Sequence, residues 1–109
     1  MKYDRDNVFY KVIKKEIPSK VVYEDDEVLA INDIAPKAPI HILVLPKKEF
    51  VSFDDFVKNS PTEEVASFFK KAQEIAEKNV AGDYRIVGNC GEKSGQEVFH
   101  FHLHILGGW

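Results

Sequence analysis

The stretch of sequence that decides the fold is VFHFHLHILGG, residues 98–108. Polar and apolar side chains alternate along it with a period of two, which is typical of a β-strand with one buried face. The pattern predicts a strand over Val98–Leu106 that ends at Gly107 and Gly108. The two faces of the strand would carry His100, His102 and His104 on one side, and Phe99, Phe101, Leu103 and Ile105 on the other. The apolar face would anchor the strand in the core, and the histidine face would line a surface or a cleft.

Apolar runs and turn residues predict the elements that precede this strand. A short helix is predicted over Asn7–Lys15, because Asn7 can cap it and Pro18 follows it. Runs rich in β-branched residues, bounded by proline, glycine or aspartate, predict further strands. These strands are Val21–Tyr23, Val28–Asn32, Ile40–Leu45 and Tyr84–Val87.

The clearest helix begins near residue 60. Ser60 is predicted to cap it, with Pro61 at the first helical position and Glu63 completing a capping box. Apolar side chains then recur at helical spacing as far as Ala76, and Gly82 is the predicted stop. This segment is long enough to cover much of a sheet.

The order of these elements indicates the fold class. Short connections between successive strands favour antiparallel pairing. We therefore predict an α+β fold in which the helices pack on one face of the sheet. With 109 residues, the chain is expected to form one domain, residues 1–109.

Composition and charge narrow the classes of function. The formal net charge is -3, whereas a protein that binds nucleic acid usually has a basic face. No stretch approaches the roughly 20 apolar residues of a membrane span, so neither nucleic acid nor membrane is expected as a partner. The single cysteine, Cys90, cannot form an intramolecular disulfide, which indicates a reducing, cytoplasmic location.

Two interpretations of the three histidines do not involve catalysis by imidazole: a purely structural role and a metal site. The side chains could simply be packed or solvated. As metal ligands they are poorly spaced, because a strand rises about 3.3 Å per residue and His100 and His104 therefore start roughly 13 Å apart. Zinc–nitrogen bonds are only about 2.0–2.1 Å long. One metal could be shared by two neighbours at most, with help from His41, Cys90 or Glu97.

Nucleophilic catalysis suits a spread-out row of histidines better. Neutral imidazole is a good nucleophile, and its ordinary pKa of about 6.5 leaves it largely neutral at pH 7. One histidine can attack phosphorus and form a phosphohistidine. Its neighbours can bind the phosphate oxygens or donate a proton to the leaving group.

A glycine-rich loop, residues 88–96, precedes the histidine strand. Glycines let backbone N–H groups approach an anion closely, although the spacing of a Walker phosphate loop is absent and an ordinary flexible connection also fits. Asn89 and Gln96 could add side-chain donors. Outside the loop, His41 is the one histidine that is not in the row. Asp33 precedes a proline turn, where it either makes the turn or binds a ribose diol.

The run HFHLHILGG, residues 100–108, resembles the histidine triad (HIT) motif, in which three histidines alternate with apolar residues. Its closing double glycine is similar to the Hint, or protein kinase C inhibitor-like, branch of that superfamily. The resemblance extends to VFYKVIKKEIPSKVVYEDDEVLAINDIAPKAPIHILVLPKKE, residues 8–49, and to YRIVGNCGEKSGQEV, residues 84–98. It covers most of the chain, and residues 50–61 match least.

The resemblance implies both a fold and an activity. The fold would be a five-stranded antiparallel sheet with one long and one short helix, paired into a homodimer with a joint ten-stranded sheet. The activity would be binding of an AMP-like purine nucleotide and hydrolysis of nucleoside phosphoramidates through a nucleotidyl-histidine, without metal or cofactor. Alternatives are a dinucleoside polyphosphate hydrolase of the same superfamily, a metal hydrolase, and a nucleotide-binding regulatory protein with little catalysis.

The resemblance also implies roles for particular residues. The nucleophile falls on His102, with the backbone carbonyl of His100 orienting it. His104 would contact the α-phosphate and the leaving group, and His41 completes the set. The nucleotide site would comprise Asp33 and Ile34 at the ribose, Asn89, Gly95, Gln96 and Glu97 at the phosphate, and Val8, Phe9, Val12 and Ile17 at the base. Many Hint proteins have a small hydroxyl residue where this chain has Glu97, and a carboxylate there would favour an amine-bearing leaving group over an anionic one.

Overall fold

A computed structural model describes residues 1–109 and shows a five-stranded antiparallel sheet with three α-helices. The helices are α1 (Val8–Ile13), α2 (Phe53–Asn59) and α3 (Thr62–Asn79). The strands are β1 (Val21–Glu24), β2 (Val28–Asn32), β3 (Ile40–Pro46), β4 (Tyr84–Val87) and β5 (Leu103–Gly107), in the spatial order β1-β2-β3-β5-β4. The predicted α+β fold with an antiparallel sheet, one long helix and a short one is confirmed. None of the helices combines the length and the apolar character that a membrane crossing requires.

Helices cover both faces of the sheet, so the prediction that they pack on one face was wrong. Alternate residues of β2 and β3 enter two separate cores. The larger core lies under α2 and α3 and contains Phe56, Phe68 and Phe101. On the opposite face, Phe9 and Val12 of α1 pack against the other side chains of the central strands, which are Leu29, Ile31, Leu43 and Leu45.

A second short helix, α2, lies in the segment where no element was predicted. Ser52 caps it, because the Ser52 hydroxyl accepts a hydrogen bond from the Asp55 N–H. Ser60 ends this helix in extended conformation and makes no cap for α3, which begins after Pro61 without a side-chain cap. The Ser60 hydroxyl is buried without a hydrogen-bond partner. The predicted capping box was therefore wrong, because Ser60 belongs to the end of α2.

The histidine strand is shorter than predicted, because β5 begins at Leu103 and not at Val98. A strand extends only as far as its neighbours provide backbone partners. β3 pairs with β5 only over residues 103–107, and β4 ends opposite His104. Residues 98–102 consequently lie outside the sheet, where the Phe101 N–H bonds the carbonyl of Phe50 at 2.7 Å. Phe101 still enters the larger core, with Leu103 and Ile105.

The double glycine after the strand has a steric reason. A Cβ atom at Gly107 would overlap Cγ1 of Val80, which follows α3. Gly108 adopts φ 86°, a conformation that other residues rarely take. Gly107 therefore lets the end of β5 pass close beneath the end of α3.

Candidate active site

His102 and His104 open onto a cavity of about 460 Å³ on the α1 face of the sheet. The two imidazole rings lie edge to face, with centroids 5.0 Å apart. The other polar groups that line the cavity are Asp33, Lys37 and His41 around the start of β3, Arg85 on β4, and Asn89 and Glu97 from the loop. The structure thus brings two of the three row histidines together with most of the predicted phosphate residues.

The hydrogen bond of His102 determines which ring nitrogen is free. Nδ1 lies 2.7 Å from the backbone carbonyl oxygen of His100. A carbonyl oxygen can only accept, so Nδ1 carries the hydrogen and neutral His102 has its lone pair on Nε2. The ring of Phe9 packs edge to face against His102 at 4.8 Å. His102 is therefore held in a single orientation, with a nucleophilic nitrogen that no protein group occupies.

A chain of hydrogen bonds assigns the opposite arrangement to His104. The Lys37 N–H donates to Nδ1 of His41 at 3.1 Å, so neutral His41 carries its hydrogen on Nε2. That nitrogen lies 2.9 Å from Nδ1 of His104 and 3.5 Å from a carboxylate oxygen of Asp33. Nδ1 of His104 therefore accepts from Nε2–H of His41, and neutral His104 carries its hydrogen on Nε2. The cavity thus holds one imidazole lone pair, on His102, beside one imidazole donor, on His104.

His100 does not line the cavity, in contrast to the predicted histidine face. Its side chain is fully buried. Nε2 donates to the carbonyl of Pro46 at 2.7 Å, and Nδ1 accepts from the hydroxyl of Tyr3. The alternation fails here because residue 100 lies outside the sheet, where no pleat directs its side chain. His100 contributes its backbone carbonyl to the site, as the resemblance implied.

Burial keeps the three row histidines uncharged at neutral pH. Removal from water lowers the pKa of His100 to about 4 and the pKa of His102 below its ordinary value. The pKa of His104 is also lowered to about 4, mainly by burial and in part by its neighbours His102 and His41. A neutral His102 is the form that can attack an electrophile.

These shifts predict that acid destabilises the protein before its carboxylates titrate. The unfolded chain takes up protons as the pH falls through about 6.5, whereas folded His100 does so only near 4. The free energy of unfolding should therefore be constant above pH 6.5 and fall below it. His100 alone accounts for a loss of about 1.4 kcal/mol between pH 7.5 and 5.5. Urea unfolding at the two pH values measures it, and His100→Gln should reduce the difference. An unfolding free energy that does not change over this range would contradict the prediction.

The glycine-rich loop is organised by Gln96, whose side chain is not available to a ligand. Its amide nitrogen donates to the backbone carbonyls of Val51 and Val98. Its amide oxygen accepts from the Gly91 N–H. The prediction that this side chain serves as a phosphate donor was therefore wrong. Asn89 donates one amide hydrogen to the Ser94 carbonyl and is among the residues that line the cavity.

The free backbone donors at this loop belong to Glu97, which was among the predicted phosphate positions, and to Val98, which was not. The N–H groups of Gly95 and Gln96 bond the carbonyls of Glu92 and Gly91 within the loop. Glu97 and Val98, which also line the cavity, make no hydrogen bond through their N–H groups. Gly95 itself has φ 103°, which turns the chain into this arrangement. Two adjacent free N–H groups are suited to bind an anion.

The residues predicted for the base pocket separate in the structure. Phe9 lines the cavity, and Val12 is buried beneath it in the second core. Ile17 is partly buried against the same core, and Val8 is exposed. Ile34 is 99% exposed and lies at a neighbouring, open cavity of about 660 Å³. Asp33 and His41 line both cavities and form the wall between them.

One cluster, Asp33, His41 and His104, has three potential metal-ligand atoms within 4.8 Å of one another. The hydrogen bonds argue against its use. To bind a metal through Nε2, His41 would have to move its hydrogen to Nδ1, where the Lys37 N–H already points. The tautomers fixed by these hydrogen bonds are therefore unfavourable for a metal at this cluster.

Two cations at the cavity, Lys37 and Arg85, were not among the predicted site residues. Arg85 pairs with Leu106 across β4 and β5, and Val87 pairs with His104. Alternation along β4 therefore puts Arg85 and Val87 on the His104 face. Alternation groups Arg85 with Val87, but only the pairing of β4 with β5 shows that this pair shares the face of His104.

Known proteins share this fold and are similar to this chain in sequence. The sequence model of the HIT domain matches residues 14–109. An uncharacterized HIT-like protein of Rickettsia prowazekii is 48% identical over 97% of this chain and 90% of its own length. A structure described as a HIT family hydrolase from Legionella pneumophila superposes with a TM-score of 0.87 at 39% identity, covering 95% of this chain and 94% of the other. A hypothetical histidine triad nucleotide-binding protein from Sulfolobus tokodaii has a TM-score of 0.77 at 31% identity, covering 91% and 66%. With its triad in place and its matches extending over nearly its whole length, this chain belongs to the HIT domain family.

Proposed function

We propose that this protein is a Hint-branch hydrolase that cleaves purine nucleoside phosphoramidates and releases the nucleoside monophosphate. The observation that carries the proposal is the fixed pair of ring nitrogens at the cavity. Nε2 of His102 presents a lone pair, and Nε2 of His104 presents a hydrogen, on rings 5.0 Å apart. Attack on phosphorus needs a nucleophile and a donor side by side.

The proposed reaction proceeds in two displacements. The lone pair on Nε2 of His102 forms a bond to the α-phosphorus as the phosphorus–nitrogen bond of the substrate breaks. The leaving nitrogen keeps that electron pair and takes a proton from water, while the His104 Nε2–H stabilises the developing charge. Water then forms the new phosphorus–oxygen bond, loses a proton to solvent and returns the lone pair to His102.

The surroundings of the two histidines suit a nucleotide. Glu97 and Val98 line the cavity and have free N–H groups, which are suited to bind α-phosphate oxygens. Lys37 and Arg85 supply positive charge at the same cavity. We assign the ribose diol to the carboxylate of Asp33, which lines both cavities. We assign the base to the apolar surface of Phe9.

The descriptions of two related structures agree with this proposal. The Legionella pneumophila neighbour is described as a hydrolase, and the Sulfolobus tokodaii neighbour as a nucleotide-binding protein. We carry both properties to this chain because the histidines that would perform the chemistry are present and correctly paired. The Hint branch is proposed from the double glycine and from the extent of the resemblance.

The proposed assembly is a homodimer, with residues 1–109 as one domain in each copy. β4 is an edge strand, and its side chains Tyr84 and Ile86 are exposed. Antiparallel pairing of β4 with a second copy would cover them and join the sheets into one of ten strands. The cytoplasm is the proposed location, since the free Cys90 suits a reducing compartment.

Hydrolysis of adenosine 5'-monophosphoramidate, followed by ³¹P NMR, tests the proposed function. We expect AMP and ammonia as products, at a rate that a strong chelator leaves unchanged. Diadenosine polyphosphates assayed in parallel should be cleaved far more slowly. Chelator-sensitive activity that zinc restores would indicate the metal hydrolase. Turnover below about 1 s⁻¹ on every phosphoramidate, with tight nucleotide binding, would favour the regulatory protein, because typical enzymes are faster.

A further inference from the structure

The carbonyl that orients His102 is not held by the sheet. It belongs to His100, which lies in the irregular segment 98–102 before β5 begins. The only backbone hydrogen bond that fixes this segment from outside is the one between the Phe101 N–H and the Phe50 carbonyl. The His100 carbonyl shares a planar peptide unit with the Phe101 N–H, so its direction depends on that hydrogen bond and on how the His100 side chain is anchored.

Two hydrogen bonds anchor that side chain. The imidazole donates from Nε2 to the Pro46 carbonyl at the end of β3, and it accepts at Nδ1 from the hydroxyl of Tyr3. The Tyr3 ring also packs edge to face against the imidazole, with centroids 5.5 Å apart. Because the imidazole is fully buried, Nδ1 would have no partner without the Tyr3 hydroxyl. An unpaired buried acceptor is costly, and the ring would shift to relieve it.

The segment that carries Tyr3 is itself attached to the rest of the fold. Arg5 makes a bidentate ion pair with Glu49, with Nε 2.9 Å from Oε1 and Nη2 3.0 Å from Oε2. Asn7 caps α1 through the Tyr10 N–H, at 2.9 Å. The residues that follow Tyr3, Arg5 and Asn7, thus hold it against His100. The Tyr3 side chain is half-buried.

We propose that Tyr3 is a positioning residue, whose hydroxyl acts through the His100 imidazole and the His100 carbonyl to hold His102 with its lone pair toward the cavity. Two hydrogen bonds connect the three residues. The Tyr3 hydroxyl donates to Nδ1 of His100, and Nδ1–H of His102 donates to the His100 carbonyl. The catalytic consequence rests on the proposed function of His102. The structural consequence, the orientation of the His102 ring, does not.

Tyr3→Phe tests the proposal, because it removes the hydroxyl and keeps the ring. Loss of one positioning hydrogen bond should lower kcat for phosphoramidate hydrolysis by about three- to tenfold, with KM changed less than about twofold. Tyr10→Phe is the matched control. Its ring lies 6.1 Å from that of Tyr3, and its hydroxyl makes no hydrogen bond to His100, so its kcat should equal that of the unmodified protein.

Long-range ¹H–¹⁵N spectra of the histidine rings provide a second measurement that does not depend on activity. In the unmodified protein, His102 should show hydrogen on Nδ1 and a lone pair on Nε2. In Tyr3→Phe, the sharp Nδ1–H resonance of His102 should be lost as the two tautomers mix, while Tyr10→Phe keeps it. An unchanged His102 resonance in Tyr3→Phe, or an equal fall of kcat in both variants, would overturn the proposal.

The two measurements separate the failure of this inference from the failure of the proposed function. If the unmodified protein hydrolyses no phosphoramidate, the proposed function fails, and the ring spectra alone decide the role of Tyr3. If hydrolysis is present and Tyr3→Phe changes KM but not kcat, Tyr3 has no positioning role. A lower melting temperature with unchanged kcat would likewise reduce Tyr3 to a structural contact.

Discussion

Replacement of His102 with alanine is expected to lower kcat for phosphoramidate hydrolysis by a factor of at least about 10⁴, because the group that forms the covalent bond is lost. Neither His104 nor His41 can substitute. Nδ1 of His104 accepts from His41, and Nε2 of His104 carries a hydrogen. Steady-state kinetics measure the effect. Nucleotide binding, measured by calorimetry, should change little, because the free N–H groups of Glu97 and Val98 remain.

The control for this variant separates loss of the nucleophile from loss of structure. His102→Ala leaves space beside Phe9, which packs against the imidazole in the unmodified protein. Added imidazole should enter that space and restore part of the turnover, since it replaces the missing nucleophile. A variant that keeps more than about a tenth of the original kcat would show that His102 is not the attacking group.

Replacement of His104 with alanine should lower kcat by about 10²- to 10³-fold, the range found when one donor to a developing charge is removed. The loss should depend on the leaving group. For a substrate whose leaving group is an alkylamine, which departs as a strong base, kcat should fall more than for a substrate whose leaving group is stable without a proton. Parallel assays on the two substrate types measure the difference.

His102→Ala provides the comparison for the leaving-group effect. Loss of the nucleophile should reduce both substrate types by similar factors, whereas loss of the donor should not. Equal reductions in His104→Ala would contradict the role given to the Nε2–H of His104. A retained rate with both substrates would contradict the hydrogen-bond chain through His41.

Local sequence patterns predicted the elements whose boundaries depend on their own residues. β2 matches its predicted bounds, and the cap at Asn7 is present with its bond to the Tyr10 N–H. The end of β5 was predicted from the double glycine, whereas its start was predicted from alternation and was wrong because a strand needs partners. Only β3 and β4 could show that Leu103 is the first paired residue.

The two-sided arrangement of the helices had a signal that was not used. β2 and β3 are apolar at nearly every position, not at alternate ones. A strand that is buried on both faces has this pattern, and it requires cover on each face. α1 provides part of that cover through Phe9 and Val12, which recur at helical spacing.

Parts of the site lay beyond sequence patterns altogether. The burial of His100 depends on contacts with Tyr3 and Pro46, which lie 97 and 54 positions away in the chain. The position of the free backbone donors, at Glu97 and Val98, depends on how the Gln96 side chain closes its loop. Such contacts follow from tertiary packing, and no periodicity or spacing encodes them.

The central claim, that Nε2 of His102 becomes covalently bonded to phosphorus, is tested most directly by trapping the intermediate. The protein is mixed with adenosine 5'-monophosphoramidate, quenched in alkali within one turnover and digested for mass spectrometry. The account predicts one adenylyl group on the peptide that contains residues 100–104, attached at His102, and none in His102→Ala. An adenylyl group on a different residue, or turnover without any covalent adduct, would contradict it.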